Sequence, residues 1–255
     1  AVSQLAGCAS TTPDASEAAQ SDVIRGDYVA GEVIDDAEVA SMVHWSNAQY
    51  LLSVNDKQQV VLNNLEGGMP TKIVSDVTDD GNAKRIYISS AAAGKRLHVA
   101  WMEKNTKPRG KSEKTGAKYI TYSAIADAGK VASNPRRISS GGGAFIPMLK
   151  ANATGDVYAI WADERNGGRY DIFLNYSNDH GATWQTDDIK LTGDSHLFVI
   201  DPAIEVVGDK VVVAWVQTDV RDTFTVVTRT SMDRGATWSE LRTIYKESSQ
   251  PVTPK

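Results

Sequence analysis

The sequence predicts an all-β chain folded as a β-propeller of four-stranded antiparallel blades, with about four blade units visible. Three observations predict it. Trp161 and Trp215 lie 54 residues apart, as do Trp184 and Trp238, while Pro147 and Pro202 lie 55 apart. Apolar residues alternate with period two through Val157, Ala159 and Trp161 and through Ile172, Leu174 and Tyr176, as in strands of packed sheets. One eight-residue turn is written twice, SNDHGATW at 177–184 and SMDRGATW at 231–238. Separate landmarks keeping one register indicate duplication of a structural unit. Four-stranded units repeated about an axis leave only short, protected sheet edges.

The units follow one another along the chain. A weak first unit is carried by QYLLSVND, QQVVLNN and TKIVSD, within 49–76. In the second, KRLHVAWME (95–103) and AKYITYS (117–123) match the second and third strands. The segment SAIADAGKV (123–131) is read there as a decayed turn retaining Ser123, Asp127 and Gly129. A long basic loop at 104–116 widens the Trp101-to-Trp161 interval to 60. The third unit is the clearest: FIPMLKA (145–151), GDVYAIWAD (155–163), RYDIFLNYS (169–177) and IKLTG (189–193). The fourth repeats it as DPAIEVV (201–207), DKVVVAWVQ (209–217), TFTVVTRTS (223–231) and LRTIYKE (241–247). Glycines 141–143 precede a strand instead of opening a helix, so they read as a flexible blade connection and not a phosphate loop.

The repeated turn has the chemistry of a tight hairpin. Asp179 and Asp233 can accept backbone N–H groups, Gly181 and Gly235 supply positive φ, and Thr183 and Thr237 can tie the exit. Ser177 and Ser231 open the two turns, and Trp184 and Trp238 bring large rings to bury between sheets. Both stretches resemble the Asp-box, or BNR repeat, S-x-D-x-G-x-T-W of the sialidase-like propellers. Each turn offers one carboxylate committed to its own backbone, so its expected role is that of a blade staple.

The resemblance extends over 144–184, and it implies a test of activity. Sialidases bind a sugar carboxylate through three arginines, attack with a Tyr activated by a Glu, and use an Asp as acid/base. Bidentate guanidinium–carboxylate pairing explains the arginines. The family's first arginine lies in an F/Y-R-I-P motif, followed by an acidic-x-Arg segment, an acid-bearing loop and an Asp-box. Here AFIP (144–147) occupies the first motif with Phe145 at the arginine position, ADER (162–165) matches the second, and NGGRY follows without an acid before Asp171. A phenyl ring cannot pair with a carboxylate. LFVIDP (197–202), the equivalent stretch of the next unit, does not restore the arginine. Six blades would need roughly 320 residues, whereas the repeats here span about 210. A smaller ring, a longer parent chain and a second chain all remain open.

In such propellers the loops joining second and third strands share a face with the starts of the first strands. That face collects Asp163, Glu164, Arg165, Arg169, Asp201, Asp219, Arg221 and Asp222, together with the basic loop. Arg165 stands out because the resemblance places its position toward the family's ligand pocket. No metal or other cofactor is expected: His44, His98, His180 and His196 lack metal-ligand spacing.

The chain has 255 residues, 41% of them hydrophobic and 23% charged, with a net charge of −5. No basic stripe points to nucleic acid, and no long apolar run points to a membrane span. The single cysteine, Cys8, closes LAGC at 5–8, which resembles the lipobox of bacterial lipoproteins. The resemblance implies a signal-peptide remnant at 1–8, a lipid on Cys8, a tether over 9–40 of small polar residues, and the propeller over 41–255. In a Gram-negative bacterium, Ala9 after the cysteine implies the outer membrane as the address, with the protein held at the surface without spanning it. Two function classes follow. One is a non-catalytic module of the cell envelope, binding a glycan or a protein partner or serving as a subunit of a larger envelope complex. The other is an exo-sialidase-type glycoside hydrolase.

Overall fold

The computed structural model describes residues 40–67, 72–75, 83–107, 114–126, 130–131, 133–194, 198–218 and 223–247. They form four antiparallel sheets, each wound in chain order. Blade 1 holds β1 (Ala40–Trp45), β2 (Ala48–Val54), β3 (Val60–Asn64) and β4 (Lys72–Ile73). Blade 2 holds β5 (Ala83–Ala93), β6 (Arg96–Asn105), β7 (Lys118–Ala126) and β8 (Lys130–Val131), and β9 (Arg136–Arg137) also pairs with β7. Blade 3 holds β10 (Ala144–Ala151), β11 (Val157–Asp163), β12 (Asp171–Ser177) and β13 (Ile189–Lys190). Blade 4 holds β14 (Phe198–Val207), β15 (Lys210–Thr218), β16 (Phe224–Ser231) and β17 (Arg242–Glu247). The first strands of successive blades are neighbours, as in a propeller. The predicted all-β blade architecture is the one observed.

Two local readings change. Only Ile189 and Lys190 of IKLTG join the ladder, because Leu191 turns inward and is fully buried between blades 3 and 4. The supposed decayed turn begins as strand: Ser123 lies inside β7 and donates its hydroxyl to the Ser133 carbonyl at 2.9 Å. Asp127 and Gly129 lie outside the described residues.

Three apolar layers separate the blades. Trp101 fills the layer between blades 1 and 2, Trp161 that between 2 and 3, and Trp215 that between 3 and 4. Alternate residues of β11 serve two layers, so all seven are buried: Val157, Ala159 and Trp161 face blade 2, while Tyr158, Ile160 and Ala162 face blade 4. In β15 only one set is covered. Val211, Val213 and Trp215 are buried, whereas Val212, Ala214 and Val216 on the reverse face are half-exposed. No further described blade covers that side.

Both repeated turns fold as staples between third and fourth strands. Asp179 accepts the Thr183 N–H at 2.8 Å, the Thr183 hydroxyl at 2.6 Å and the Ser177 hydroxyl at 2.6 Å. Asp233 accepts the same set from Thr237 and Ser231, at 2.8, 2.5 and 2.7 Å. The Gly181 and Gly235 N–H groups reach back to the Ser177 and Ser231 hydroxyls at 2.9 and 2.8 Å. The chain turns through two successive positive φ values, 60° and 79° at His180 and Gly181, and 59° and 92° at Arg234 and Gly235.

Each staple also binds the preceding blade. Trp184 packs edge-on against Tyr122 of blade 2 with centroids 4.8 Å apart, and Arg136 donates to the Ala182 carbonyl. Arg234 crosses to Asp156 of blade 3, its Nε lying 3.1 Å from both carboxylate oxygens. The glycines are required twice over. Besides their φ, a Cβ on Gly181 would overlap the Tyr122 hydroxyl, and one on Gly235 would come within 3.2 Å of the Tyr158 ring.

Gly181→Ala is expected to lose about 2–4 kcal/mol, combining positive-φ strain with overpacking. Gly193→Ala, where a Cβ meets nothing within 4 Å, is expected to lose under about 0.5 kcal/mol. Urea denaturation midpoints check both. The staples also set an acid limit. Burial opposes the charge of Asp156, but hydrogen bonds from Arg234, Asn152 and Asn178 hold its pKa at about 2. Burial likewise opposes Asp179, which Ser177 and Thr183 hold at about 2, and bonds from Thr237 and Ser231 hold Asp233 at about 2. Unfolded aspartates titrate near ~3.9, so this stabilisation is complete above about pH 4 and is lost as pH falls toward 2. The urea midpoint should drop across that window, and less steeply in Asp233→Asn.

Candidate functional site

The face opposite the staples is built from the starts of the first strands and the loops leaving the second. Ala144 pairs with Asp163, which brings the AFIP and ADER segments side by side. The first strand then bulges. Pairing slips between Phe145 and Met148 in blade 3, between Ile200 and Ala203 in blade 4, and between Ile86 and Ile88 in blade 2. At each bulge a non-glycine residue takes positive φ: Tyr87 at 55°, Ile146 at 52° and Asp201 at 50°. For a β-branched residue such as Ile146 this is a strained conformation. All three side chains project outward and are exposed.

Arg165 is held between two acids, its side chain 19% exposed. Its guanidinium lies 2.5 Å from Asp163 and 2.7 Å from Asp188, both carboxylates being essentially inaccessible to water. It also stacks 4.1 Å from the Phe173 ring centroid and donates to the Ser140 hydroxyl at 3.0 Å. Burial works against the charge, but pairing with Asp163 and Asp188 outweighs it and moves the pKa up. Asp163 itself is fully buried and accepts the Trp161 indole N–H at 3.2 Å and the Arg165 N–H at 2.9 Å. Asp163, Arg165 and Asp188 therefore form an ion cluster whose two carboxylates are buried. The glycine run makes room for it, since a Cβ on Gly141 would overlap the Arg165 guanidinium and one on Gly143 would lie 2.8 Å from Asp163 Oδ1. These glycines are a packing requirement, not the flexible connection expected from composition.

Asp171, the nearest acid after the ADER segment, is equally committed. It starts β12, is buried, and accepts from Thr192 at 2.6 Å and Asn166 at 2.8 Å. Asp201 sits on the exposed bulge, and Arg169 is exposed on the loop before β12, reaching the Asp194 carbonyl at 3.5 Å. Glu164 pairs with Lys118 of blade 2 at 2.7 Å. Asp219, Arg221 and Asp222, the middle of the basic loop (108–113), His196 and Cys8 lie outside the described residues.

Aromatic side chains complete the face: Phe145, singled out in the sequence, with Tyr170 and Phe198, which sequence reading passed over. Phe145 meets Tyr170 edge-to-face at 4.7 Å, and Tyr170 meets Phe198 edge-to-face at 5.6 Å. The Lys118 ammonium lies 5.5 Å from the Phe145 ring centroid. The signal for this row was its position: Tyr170 closes the loop after ADER, and Phe198 stands near the start of LFVIDP. Asp188 carries no such signal, lying four residues beyond the second tryptophan landmark in an ordinary QTDDIK stretch.

Arg165→Ala is expected to destabilise the chain by about 3–5 kcal/mol, because two buried carboxylates lose their cation. A chemical-denaturation curve checks this, and a variant of unchanged stability would contradict the ion cluster.

No protein-family model and no curated protein matches the sequence. Solved structures do match in fold. One is a Trypanosoma rangeli sialidase in complex with the inhibitor DANA, at TM-score 0.52 and 15% identity, over 79% of this chain and 37% of that one. Another is an ulvan lyase, a polysaccharide lyase bound to -[GlcA(1-4)Rha3S]-, at TM-score 0.59 and 12% identity, over 82% of this chain and 56% of that one. The chain thus spans about a third to a half of the length of these neighbours. Four antiparallel blades and these likenesses together give the chain a sialidase-like propeller fold.

Proposed function

We propose that the chain is a non-catalytic glycan-recognising propeller module, held at the bacterial outer membrane by a lipid on Cys8. The observation that carries this reading is Phe145. It occupies the place where the Asp-box family would present its carboxylate-binding arginine, and its ring is packed into the aromatic row. The neighbouring Arg165 is locked between Asp163 and Asp188, so it does not substitute for the missing cation. What the face offers instead is recognition surface: exposed Asp201 and Arg169, together with the row of aromatic rings. The two solved neighbours, a sialidase and a polysaccharide lyase, support a glycan as the partner class.

Purified chain incubated with a fluorogenic sialoside is expected to give no turnover above the blank. Turnover that copurifies with the chain would overturn the non-catalytic reading. Cells expressing the chain and fed an alkyne-bearing palmitate should label it, with labelling lost in Cys8→Ser. An unlabelled chain would remove the anchor.

A further inference from the structure

Phe145, Tyr170 and Phe198 come from β10, the loop before β12 and β14, and they meet in one continuous row across blades 3 and 4. The row emerges from the core. Phe145 packs against two apolar layers, Tyr170 is half-buried, and Phe198 at the outer end is 43% exposed. Next to Phe145, strained Ile146 adds a further exposed apolar side chain. Charge is nearby but engaged: Lys118 has Glu164, Arg165 has Asp163 and Asp188, and Arg169 reaches the Asp194 carbonyl at 3.5 Å.

The size and chemistry of this surface select its ligand. A protein partner needs on the order of 800 Å² per side, while an aromatic side chain offers about 150–250 Å² in total, of which Phe198 exposes less than half. The surface is therefore small and apolar, its rings set edge-to-face so that the most exposed one, Phe198, offers the platform, with Asp201 three residues along β14 from it. A pyranose ring matches it. One face of the sugar presents polarised C–H groups that suit the negative face of an aromatic ring. The hydroxyls at the sugar's rim suit groups such as Asp201. A carboxylated sugar would instead need a guanidinium or ammonium that the cluster has already used.

We propose that the Phe145–Tyr170–Phe198 row is a stacking subsite for an uncharged sugar residue. The proposal rests on the glycan-binding reading above and narrows it to neutral sugars. Affinity electrophoresis of the whole chain tests it, in native gels containing galactomannan, mixed-linkage β-glucan or arabinan, with alginate as the uronate arm. Retardation is expected in at least one neutral gel. Phe198→Ala and Tyr170→Ala should weaken it by roughly three- to tenfold, and Phe198→Trp should retain it. Thermal melting of each variant verifies that it is folded. Neutral-gel retardation unchanged in folded Phe198→Ala overturns the subsite. Retardation by alginate alone overturns the neutral preference while leaving glycan recognition standing, and no retardation in any gel removes both.

Discussion

An indole buried in a second strand needs an acceptor for its N–H, and that need sets the polar architecture of blades 2, 3 and 4. The tryptophans of the second strands are fully buried, each removing on the order of 200 Å² from water. An orphaned donor there would cost about 1–3 kcal/mol. Side chains two apart on a strand share a face, so the residue two positions on can serve. Glu103, Asp163 and Gln217 do so for Trp101, Trp161 and Trp215, at 3.5, 3.2 and 3.2 Å. Where the acceptor is a carboxylate, burying it calls for a cation. Glu103 has Arg85 at 3.3 Å and Asp163 has Arg165, whereas the neutral Gln217 needs none. Arg165 is thus the last link in a chain that starts with packing, and the glycines beside it follow from its bulk.

A second constraint runs between blades. The blade-3 staple lies on Tyr122, which shares a 2.7 Å hydrogen bond with His98 on the same blade-2 face. Burial, with help from Arg96 and His180, lowers the His98 pKa to about 4, so the ring is neutral near pH 7. The blade-4 staple lies on the stacked pair Tyr158 and Tyr176 of blade 3. At the corresponding positions blade 4 has Val212 and Thr230, which are cross-strand partners on its half-exposed face. An aromatic pair is present where a described staple sits on it, and the blade with no described successor has none. The unit of cohesion is accordingly one blade's hairpin on its predecessor's ring pair, not the blade alone.

The fold was legible because its determinants are local and repeated. Spacing of tryptophans, strand alternation and the S-x-D-x-G-x-T-W turn all report one unit, and errors were confined to where a short strand ended or a motif had decayed. The face was legible as a place but not in its chemistry. Asp163 lies beside the start of β10, yet a linear motif does not show that Asp188, 23 residues beyond Arg165, closes on the same guanidinium. Nor does composition show that Phe145, Tyr170 and Phe198 converge, because contacts between blades depend on curvature that no single segment encodes.

The bulge in the first strands has an evolutionary corollary. In blades 2, 3 and 4 the ladder is interrupted at one place, so the residue there contributes an outward side chain while its neighbours carry the sheet. Tyr, Ile and Asp already occupy it in this one chain. Replacement at such a position changes what the rim offers to solvent without moving a strand. Selection can therefore rewrite the chemistry of the rim one blade at a time on a scaffold that does not register the change.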